Sequence, residues 1–200
     1  HSQVIRAPNF AQLSQLLDGT RRRSVLLTDP SLAGKTALVH AWVRARLARA
    51  TPLVWATSGT QLIAGMSGLG QWEDRVRRVM EAVETLDAVL YFDNLGDLLS
   101  ERAHGHADIP SALKPWISEG RVRVVGELRA ELADGAERNH GPLLATLARL
   151  RVDALTPAAS REALTLRARW DDAHDPDAPR VSPAGLDALV DLADRYLPYE

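Results

Sequence analysis

The sequence predicts an α/β fold in which helices cover a parallel β-sheet. Five short apolar runs alternate along the chain with longer stretches in which apolar residues recur every three or four positions. That alternation is typical of parallel strands joined by crossover helices. The 200 residues, 46% apolar and 25% charged, are enough for a globular core without disulfides or metals. We therefore expect a five-stranded parallel sheet sandwiched by helices.

The predicted strands are the short apolar runs, and the clearest predicted helices lie between them. The strands are residues 24–27, 53–55, 88–92, 122–125 and 150–154. The helices are residues 36–50, 72–86 and 109–119. In the second helix Val76, Val79 and Val83 share one face while arginines and glutamates occupy the other, which is the pattern of a helix packed on a core.

The composition changes after residue 156, where the strand pattern stops. A helix start is predicted at Pro157, followed by an Asp- and Pro-rich loop over residues 170–179. Ser182 and Pro183 then begin a last helix that runs to about Tyr196. We therefore divide the chain into residues 1–156, which carry the sheet, and residues 157–200, which begin a second, helical region that is incomplete.

The charge balance limits the class of partner. The chain has 24 basic and 26 acidic residues, a net charge of −2, whereas proteins dedicated to nucleic acids or membrane surfaces carry a basic excess. No run approaches the roughly 20 apolar residues of a membrane span, and the N-terminus lacks a signal peptide's pattern. Cysteine is absent, and we interpret the chain as cytoplasmic. Because it starts at His1, we expect it to be part of a larger protein.

One of two lysines lies in a segment typical of a phosphate-binding loop. The basic residues are 22 arginines and two lysines, Lys35 and Lys114, so each lysine calls for an explanation. Lys35 and Thr36 follow Gly34 between the first predicted strand and a helix. In such a loop backbone N–H groups and the helix dipole hold phosphates, the lysine reaches the β- and γ-phosphates, and the threonine hydroxyl binds Mg²⁺.

The match to the phosphate-loop pattern is partial. The pattern G-x-x-x-x-G-K-[ST] has a glycine where this chain has Asp29, which leaves Gly34 as the single glycine of the loop. We nevertheless assign Ser31, Ala33 and Gly34 to nucleotide binding together with the lysine and the threonine. The alternative is that the Gly-Lys-Thr sequence merely opens an ordinary helix.

An acidic residue at the end of a buried strand supplies the second part of such a site. Asp93 follows the apolar run 88–92, where a carboxylate holds Mg²⁺ through water. ATP-hydrolysing relatives need a glutamate at the next position to polarise water, but this chain has Asn94, whose amide cannot take a proton. These residues predict a site for ATP and Mg²⁺ in which Asp93 is a catalytic and metal-side residue and Asn94 impairs hydrolysis.

These segments together resemble the first ATPase domain of the Clp-type AAA+ unfoldases and disaggregases, a family of P-loop NTPases. The resemblance covers most of the chain and depends on motifs that occur in the family's order at nearly its spacings. The second lysine lies in one of them, Leu113-Lys114-Pro115. The motif segments are Val4-Ile5 and residues 21–27, 64–65, 70–75, 111–115, 119–126 and 192–198.

The resemblance implies an ATP-driven machine with the function of a chaperone. Its subunits form a homo-oligomeric, hexameric ring that threads a protein substrate, delivered directly or by an adaptor, through a central pore. Residues 157–200 would begin the helical lid. Val4 and Ile5 would lie beside the adenine, and Gly68 and Leu69 in the loop that grips substrate. Arg149 is the nearest candidate for the arginine finger that completes a neighbouring subunit's site.

The chain departs from the family at positions for hydrolysis and grip. The pore-loop tyrosine falls on Gly68, and the threonines that sense the γ-phosphate fall on Leu128 and Arg129. Together with Asn94, these changes predict nucleotide binding with slow or absent hydrolysis. A replacement for the missing glutamate is suggested by the strand order, because in a sheet of this topology the fourth strand lies between the first and the third. We hypothesise that Glu127 then lies near the γ-phosphate and substitutes for the missing glutamate.

Other interpretations of the sequence stay open. The main alternative is a non-catalytic module that uses a bound nucleotide, or only the fold, as a structural or regulatory interface. A DNA-remodelling AAA+ protein such as a clamp loader fits the near-neutral charge poorly. A divalent metal is a further alternative at His104, His106 and Asp108, as is nucleic acid at residues 21–23, where three arginines are more often a solvated rim.

Overall fold

Five parallel strands form the centre of the protein in the computed structural model, which describes residues 7–20, 23–29, 33–47, 53–65, 71–99, 108–175, 177 and 179–196. Each strand pairs with its neighbours in parallel, in the order β2-β3-β4-β1-β5. The strands are β1 Val25–Asp29, β2 Val54–Thr57, β3 Val89–Phe92, β4 Arg123–Arg129 and β5 Ala148–Arg151. The predicted α/β fold with a five-stranded parallel sheet is confirmed.

Helices connect the strands and follow the last one. Before β5 they are α1 Ala7–Asp18, α2 Lys35–Leu47, α3 Gly59–Ile63, α4 Gln71–Thr85, α5 Leu95–Leu98, α6 Ile109–Ser118 and α7 Ala130–Leu144. After β5 they are α8 Pro157–His174 and α9 Pro183–Tyr196. Among the residues that the structure describes, none of these helices combines the length and the apolar character that crossing a membrane requires.

Alternate residues of the strands enter two separate cores on the two faces of the sheet. On one face Leu27, Tyr91 and Val125 pack with α1 and α2, whose largest buried side chain is Trp42. On the other face the core combines strand residues with α4, α6 and α7; its strand members are Leu26, Leu90, Phe92, Val124 and Leu128. The start of α2, where the phosphate loop is predicted, therefore lies on the Tyr91 face of the sheet.

The fourth strand is longer than the apolar run predicts. The prediction ends at Val125, but β4 continues to Arg129 and pairs there with β1, so that Glu127 lies opposite Leu27 and Arg129 opposite Asp29. Glycine and glutamate are weak strand formers, which is why the run ends early in the sequence. Pairing with the neighbouring strands overrides that preference and makes Glu127 a strand residue.

The predicted loop over residues 170–179 is wrong at its start, because α8 continues to His174. Two contacts between residues four positions apart stabilise the end of α8. Arg167 forms an ion pair with Asp171, and the Trp170 ring stacks on His174. Arg161 of α8 also pairs with Asp187 of α9, with 3.0 Å between Nη2 and Oδ2. The division of the chain at residue 156 stays a prediction.

Helices α1 and α7 do not appear among the sequence predictions. The sequence of α7 contains Gly135, Gly141 and Pro142, all unfavourable inside a helix. The helix is in fact interrupted at His140, which has φ −131° and ψ 24° just before the Gly-Pro pair. Tertiary packing of Leu143 and Leu144 on the sheet compensates for this weak local propensity.

Candidate nucleotide site

The start of α2 has two features that suit phosphate binding. Gly34 precedes the helix with φ +90°, a backbone conformation that strains any residue with a Cβ, which explains the glycine. Its carbonyl accepts the first helical hydrogen bond, from the Leu38 N–H at 3.0 Å. Lys35 and Thr36 are therefore the first two residues of the helix, where the backbone N–H groups and the helix dipole attract anions.

Lys35 is buried although it is charged. Only 6% of its surface is exposed, and the nearby Ala33 is 3% exposed. The positive charge of Lys35 acts on the Glu127 carboxyl. A lysine in this position is costly unless anionic groups compensate it. Its burial next to a carboxylate at a helix N-terminus is consistent with the predicted phosphate-binding role.

Glu127 lies at the carboxyl end of the central strand, between the two elements predicted to hold the nucleotide. It is 6% exposed. The Thr36 hydroxyl donates a hydrogen bond to Oε2 at 3.0 Å, and the Tyr91 hydroxyl donates one to Oε1. A threonine oxygen that donates its proton still has lone pairs for a metal. The Thr36–Glu127 contact is thus compatible with Mg²⁺ binding by Thr36.

The burial of this site changes the titration of its acids. Burial raises the pKa of Glu127 above its usual value, while the hydrogen bonds from Tyr91 and Thr36 and the charge of Lys35 act to lower it. Burial also raises the pKa of Tyr91, and so does its hydrogen bond to Glu127. Tyr91 consequently stays protonated at neutral pH and remains a hydrogen-bond donor.

Asp93 and Asn94 follow β3 at the same edge of the sheet, and both are exposed. The negative charge of Asp93 contributes to raising the pKa of Glu127, although it is the smallest of the causes. Asn94 begins α5, but its side chain makes no capping hydrogen bond. Open carboxyl ends of neighbouring parallel strands are where α/β proteins bind ligands. Asp93 is thus available to a metal ion at this edge.

The donor set fits Mg²⁺ bound together with a nucleotide. Mg²⁺ takes oxygen ligands and is held by one or two carboxylates plus substrate phosphates rather than by a protein cage. Thr36 and Asp93 offer a hydroxyl and a carboxylate, and Lys35 and the α2 N-terminus offer positive charge for phosphates. Accordingly, within the described ranges no three or more acidic or histidine side chains form a metal site by themselves.

Several predicted site residues cannot be compared with this geometry. Val4, Ile5, Ser31, Gly68 and Leu69 lie outside the described residues. Residues 21–22 and 104–107 also lie outside the described residues. Of the possible metal ligands His104, His106 and Asp108, only Asp108 is described. Their assignments stay predictions.

Two other positions are described but lie apart from the phosphate site. Arg149 is in the edge strand β5 with 55% of its side chain exposed, and it forms an ion pair with Glu137 of α7. Leu128, at the position of a family threonine, packs in the opposite core near Leu95 and is 2% exposed. A γ-phosphate contact by this side chain is therefore excluded by its direction and its chemistry.

Sequence reasoning missed Tyr91. Its signal was present: a tyrosine in a strand whose four residues are all buried needs a partner for its hydroxyl. The partner is 36 positions away in the sequence, so the sequence indicated the need but not the residue that meets it.

Comparison with known proteins finds relatives in the family that the motifs resemble. No protein-family model matches the chain. It is 27% identical to the chaperone ClpB of Mycoplasma genitalium over 93% of this chain and 28% of that protein. It is likewise 27% identical to ClpB of Aquifex aeolicus, over 92% and 19%, and to the ClpC ATP-binding subunit of Staphylococcus epidermidis, over 89% and 22%. The chain thus spans less than a third of the length of these relatives.

Solved structures with the same fold include Hsp104. The closed state of Hsp104 with ATPγS and FITC casein matches with a TM-score of 0.81 and 21% identity, over 98% of this chain and 34% of that chain. The S. cerevisiae Hsp104–ADP complex matches with a TM-score of 0.77 and 22% identity, over 97% and 28%. The chain is thus similar in sequence to Clp-type AAA+ chaperones, and it shares the fold of Hsp104.

Proposed function

We propose that the chain is the ATP-binding AAA+ module of a Clp-like protein-remodelling machine in which hydrolysis is slow. One observation carries this proposal: Lys35 and Thr36 begin a helix at the carboxyl edge of the sheet, with Thr36 hydrogen-bonded to the buried Glu127. A positively charged helix start beside oxygen donors is suited to a nucleoside triphosphate with its metal ion.

Each residue of the site has a role in binding. The N–H groups at the start of α2 and Lys35 hold the phosphates, and Gly34 lets the backbone turn into the helix. Thr36 and Asp93 hold Mg²⁺, directly or through water. When bound, Mg²⁺ neutralises phosphate charge and polarises the γ-phosphoryl group. Binding by these groups does not require the glutamate that Asn94 replaces.

Hydrolysis is the step that the replaced residues affect. Water attacks the γ-phosphorus, the bond to the β,γ-bridging oxygen breaks, and ADP leaves with the electron pair of that bond. The proton of the water needs an acceptor, which Asn94 cannot be. Glu127 is the carboxylate beside Thr36, and we propose it as that acceptor. A positioned base contributes on the order of 10²- to 10⁴-fold to such a step.

The relatives suggest the wider role. ClpB is named a chaperone and ClpC an ATP-binding subunit of a protease, and one Hsp104 structure contains casein. On this basis we propose a protein substrate or adaptor as the partner, a homo-oligomeric ring as the assembly, and the cytoplasm as its location. Arg149 would then act on the nucleotide of a neighbouring subunit, after release from Glu137.

The two lysines allow a matched test of nucleotide binding. Calorimetric titration of the chain with Mg·ATP and Mg·ADP should show binding that Lys35→Ala weakens at least tenfold. Lys114→Ala removes the same charge from an exposed position on α6 and should leave the affinity unchanged. Equal affinity of the Lys35→Ala variant and the wild type contradicts the proposed site.

The second candidate is the non-catalytic interface module, which Asn94 and the buried Leu128 favour. The same titration combined with a phosphate-release assay separates the candidates. Turnover that Lys35→Ala abolishes supports the ATPase, whereas no binding, or binding without turnover, supports the interface module.

A further inference from the structure

Strand β3 uses its two aromatic residues differently. All four of its residues are buried. Phe92 enters the core formed with α4, α6 and α7, whereas Tyr91, which is 4% exposed, enters the core formed with α1 and α2. Phenylalanine would fill space as well as tyrosine does. Packing therefore does not explain the hydroxyl of Tyr91, whereas its hydrogen bond to Glu127 does.

Tyr91 and Thr36 hold the two oxygens of one carboxylate from different sides. The Tyr91 hydroxyl donates to Oε1 and the Thr36 hydroxyl donates to Oε2 at 3.0 Å. The strand register pairs Tyr91 with Val125, two residues before Glu127, so both side chains lie on the same face of the sheet. Oε1 is thereby held towards β3, and Oε2 faces the start of α2.

The orientation of this carboxylate depends on both donors. A carboxylate oxygen buried without a donor is costly, so a Glu127 that lost one hydrogen bond would turn away to recover it. Thr36 is also the predicted metal ligand, and its position depends on the nucleotide and its ion. Tyr91 is held in the core by the packing of β3 and does not depend on either.

We propose that Tyr91 is a positioning residue that keeps Oε2 of Glu127 directed at the phosphate site. The proposal rests on the proposed role of Glu127 in hydrolysis. The Tyr91 hydroxyl also interacts with the Thr36 side chain, and we place its effect on hydrolysis in the orientation of Glu127. Loss of one hydrogen bond that orients a base should lower kcat about tenfold while KM changes by less than roughly twofold.

The test removes only the hydroxyl. Tyr91→Phe keeps the ring and its packing, and Tyr196→Phe removes a hydroxyl from an exposed position at the end of α9 as the control. The first measurement is made without nucleotide: NMR of chain labelled with ¹³C-glutamate, in which the Glu127 Cδ signal is identified by its loss in Glu127→Gln. That signal should shift in Tyr91→Phe and not in Tyr196→Phe.

The second measurement is steady-state phosphate release by the same variants. Tyr91→Phe should lower kcat. The double variant Tyr91→Phe/Glu127→Gln should be no slower than Glu127→Gln alone, because the proposed effect of Tyr91 on hydrolysis runs through Glu127; a slower double variant would assign the effect to the Tyr91–Thr36 contact instead and overturn the positioning role. An unmoved Glu127 signal, or an unchanged kcat where Glu127→Gln does reduce it, overturns the positioning role and leaves the proposed function standing. If Glu127→Gln has no effect, or the wild type binds nucleotide without turnover, the role of Glu127 is wrong and the positioning role falls with it.

Discussion

Arg123, the first residue of β4, links the central strand to two distant parts of the chain. Its Nη1 donates to the Leu17 carbonyl at 3.0 Å, near the end of α1. Its Nη2 donates to the carbonyl and to the carboxylate of Asp87, at 2.9 and 2.8 Å, in the turn before β3. Carbonyls in the last turn of a helix have no helical donor, so Arg123 serves as the C-terminal cap of α1. We predict that Arg123→Met destabilises the protein.

The magnitude follows from what each acceptor loses. Methionine keeps most of the apolar stem, so packing changes little. Asp87 has a side chain 51% exposed, and water can replace the arginine there. The Leu17 carbonyl belongs to a residue that is 0% exposed, and leaving it without this donor costs about 1–3 kcal/mol. We expect a loss of roughly 2 kcal/mol in the free energy of unfolding, or about 4–8 °C in Tm.

Arg121 is the matched control, two residues earlier in the chain. It also binds a carboxylate with two hydrogen bonds, to Glu84 at 2.8 and 2.7 Å, and its guanidinium lies over the Trp116 ring. Its side chain is 40% exposed, so water competes for both interactions. Urea unfolding followed by circular dichroism should show a clearly larger loss for Arg123→Met than for Arg121→Met. Equal losses would refute the argument that burial of the acceptor decides the cost.

Two further predictions concern the site itself. Because burial raises the pKa of Glu127 above its ordinary value of 4.5, the folded state favours the protonated form. The stabilisation that protonated Glu127 contributes is complete below about pH 4.5 and is lost as the pH rises through the folded pKa. Glu127→Gln should remove this decline. In urea unfolding between pH 4.5 and 8, the free energy of unfolding of the variant should therefore rise relative to that of the wild type as the pH rises. A constant difference between the two would contradict the prediction. Asn94 is exposed and makes no capping hydrogen bond, so Asn94→Glu fits without burial and should raise phosphate release at least about tenfold. Asn94→Gln, with the same length and no base, is its control, and equal rates for the two variants would show that water activation is not what limits turnover.

The sequence was most informative where the signal is local. Apolar runs bounded by turns indicated all five strands, and they did so best in the centre of the sheet, because a strand buried on both faces needs consecutive apolar residues. The edge strands β2 and β5 are largely exposed, and the predicted run 150–154 overlaps β5 only at Leu150 and Arg151.

Gly34, Lys35 and Thr36 are adjacent in the chain, so a phosphate loop could be predicted without knowledge of the fold. The sequence also predicts Glu127 near the γ-phosphate, since the fourth strand lies between the first and the third in this topology. Its hydrogen bond with Thr36 is seen only in the structure.

Local propensity failed where packing overrides it. The kinked α7 contains Gly141 and Pro142, and its helical conformation depends on burial of Leu143 and Leu144 against the sheet. The aspartates and prolines of residues 170–179 predict a loop at the end of α8, whereas the pairing of Arg167 with Asp171 continues the helix. In each case a contact that the composition does not show outweighs the preference of single residues.

The sequence alone determined the class of fold, the helix start proposed to receive phosphate, and the Asn94 that stands where hydrolysis would need a glutamate. Tertiary structure alone decided which groups hold Glu127 and how β4 is anchored. The Thr36–Glu127 contact joins residues 91 positions apart, and the contact of Arg123 with Leu17 joins residues 106 positions apart. Periodicity and propensity act over a few residues, whereas these contacts exist only after the parallel sheet has brought the distant segments together.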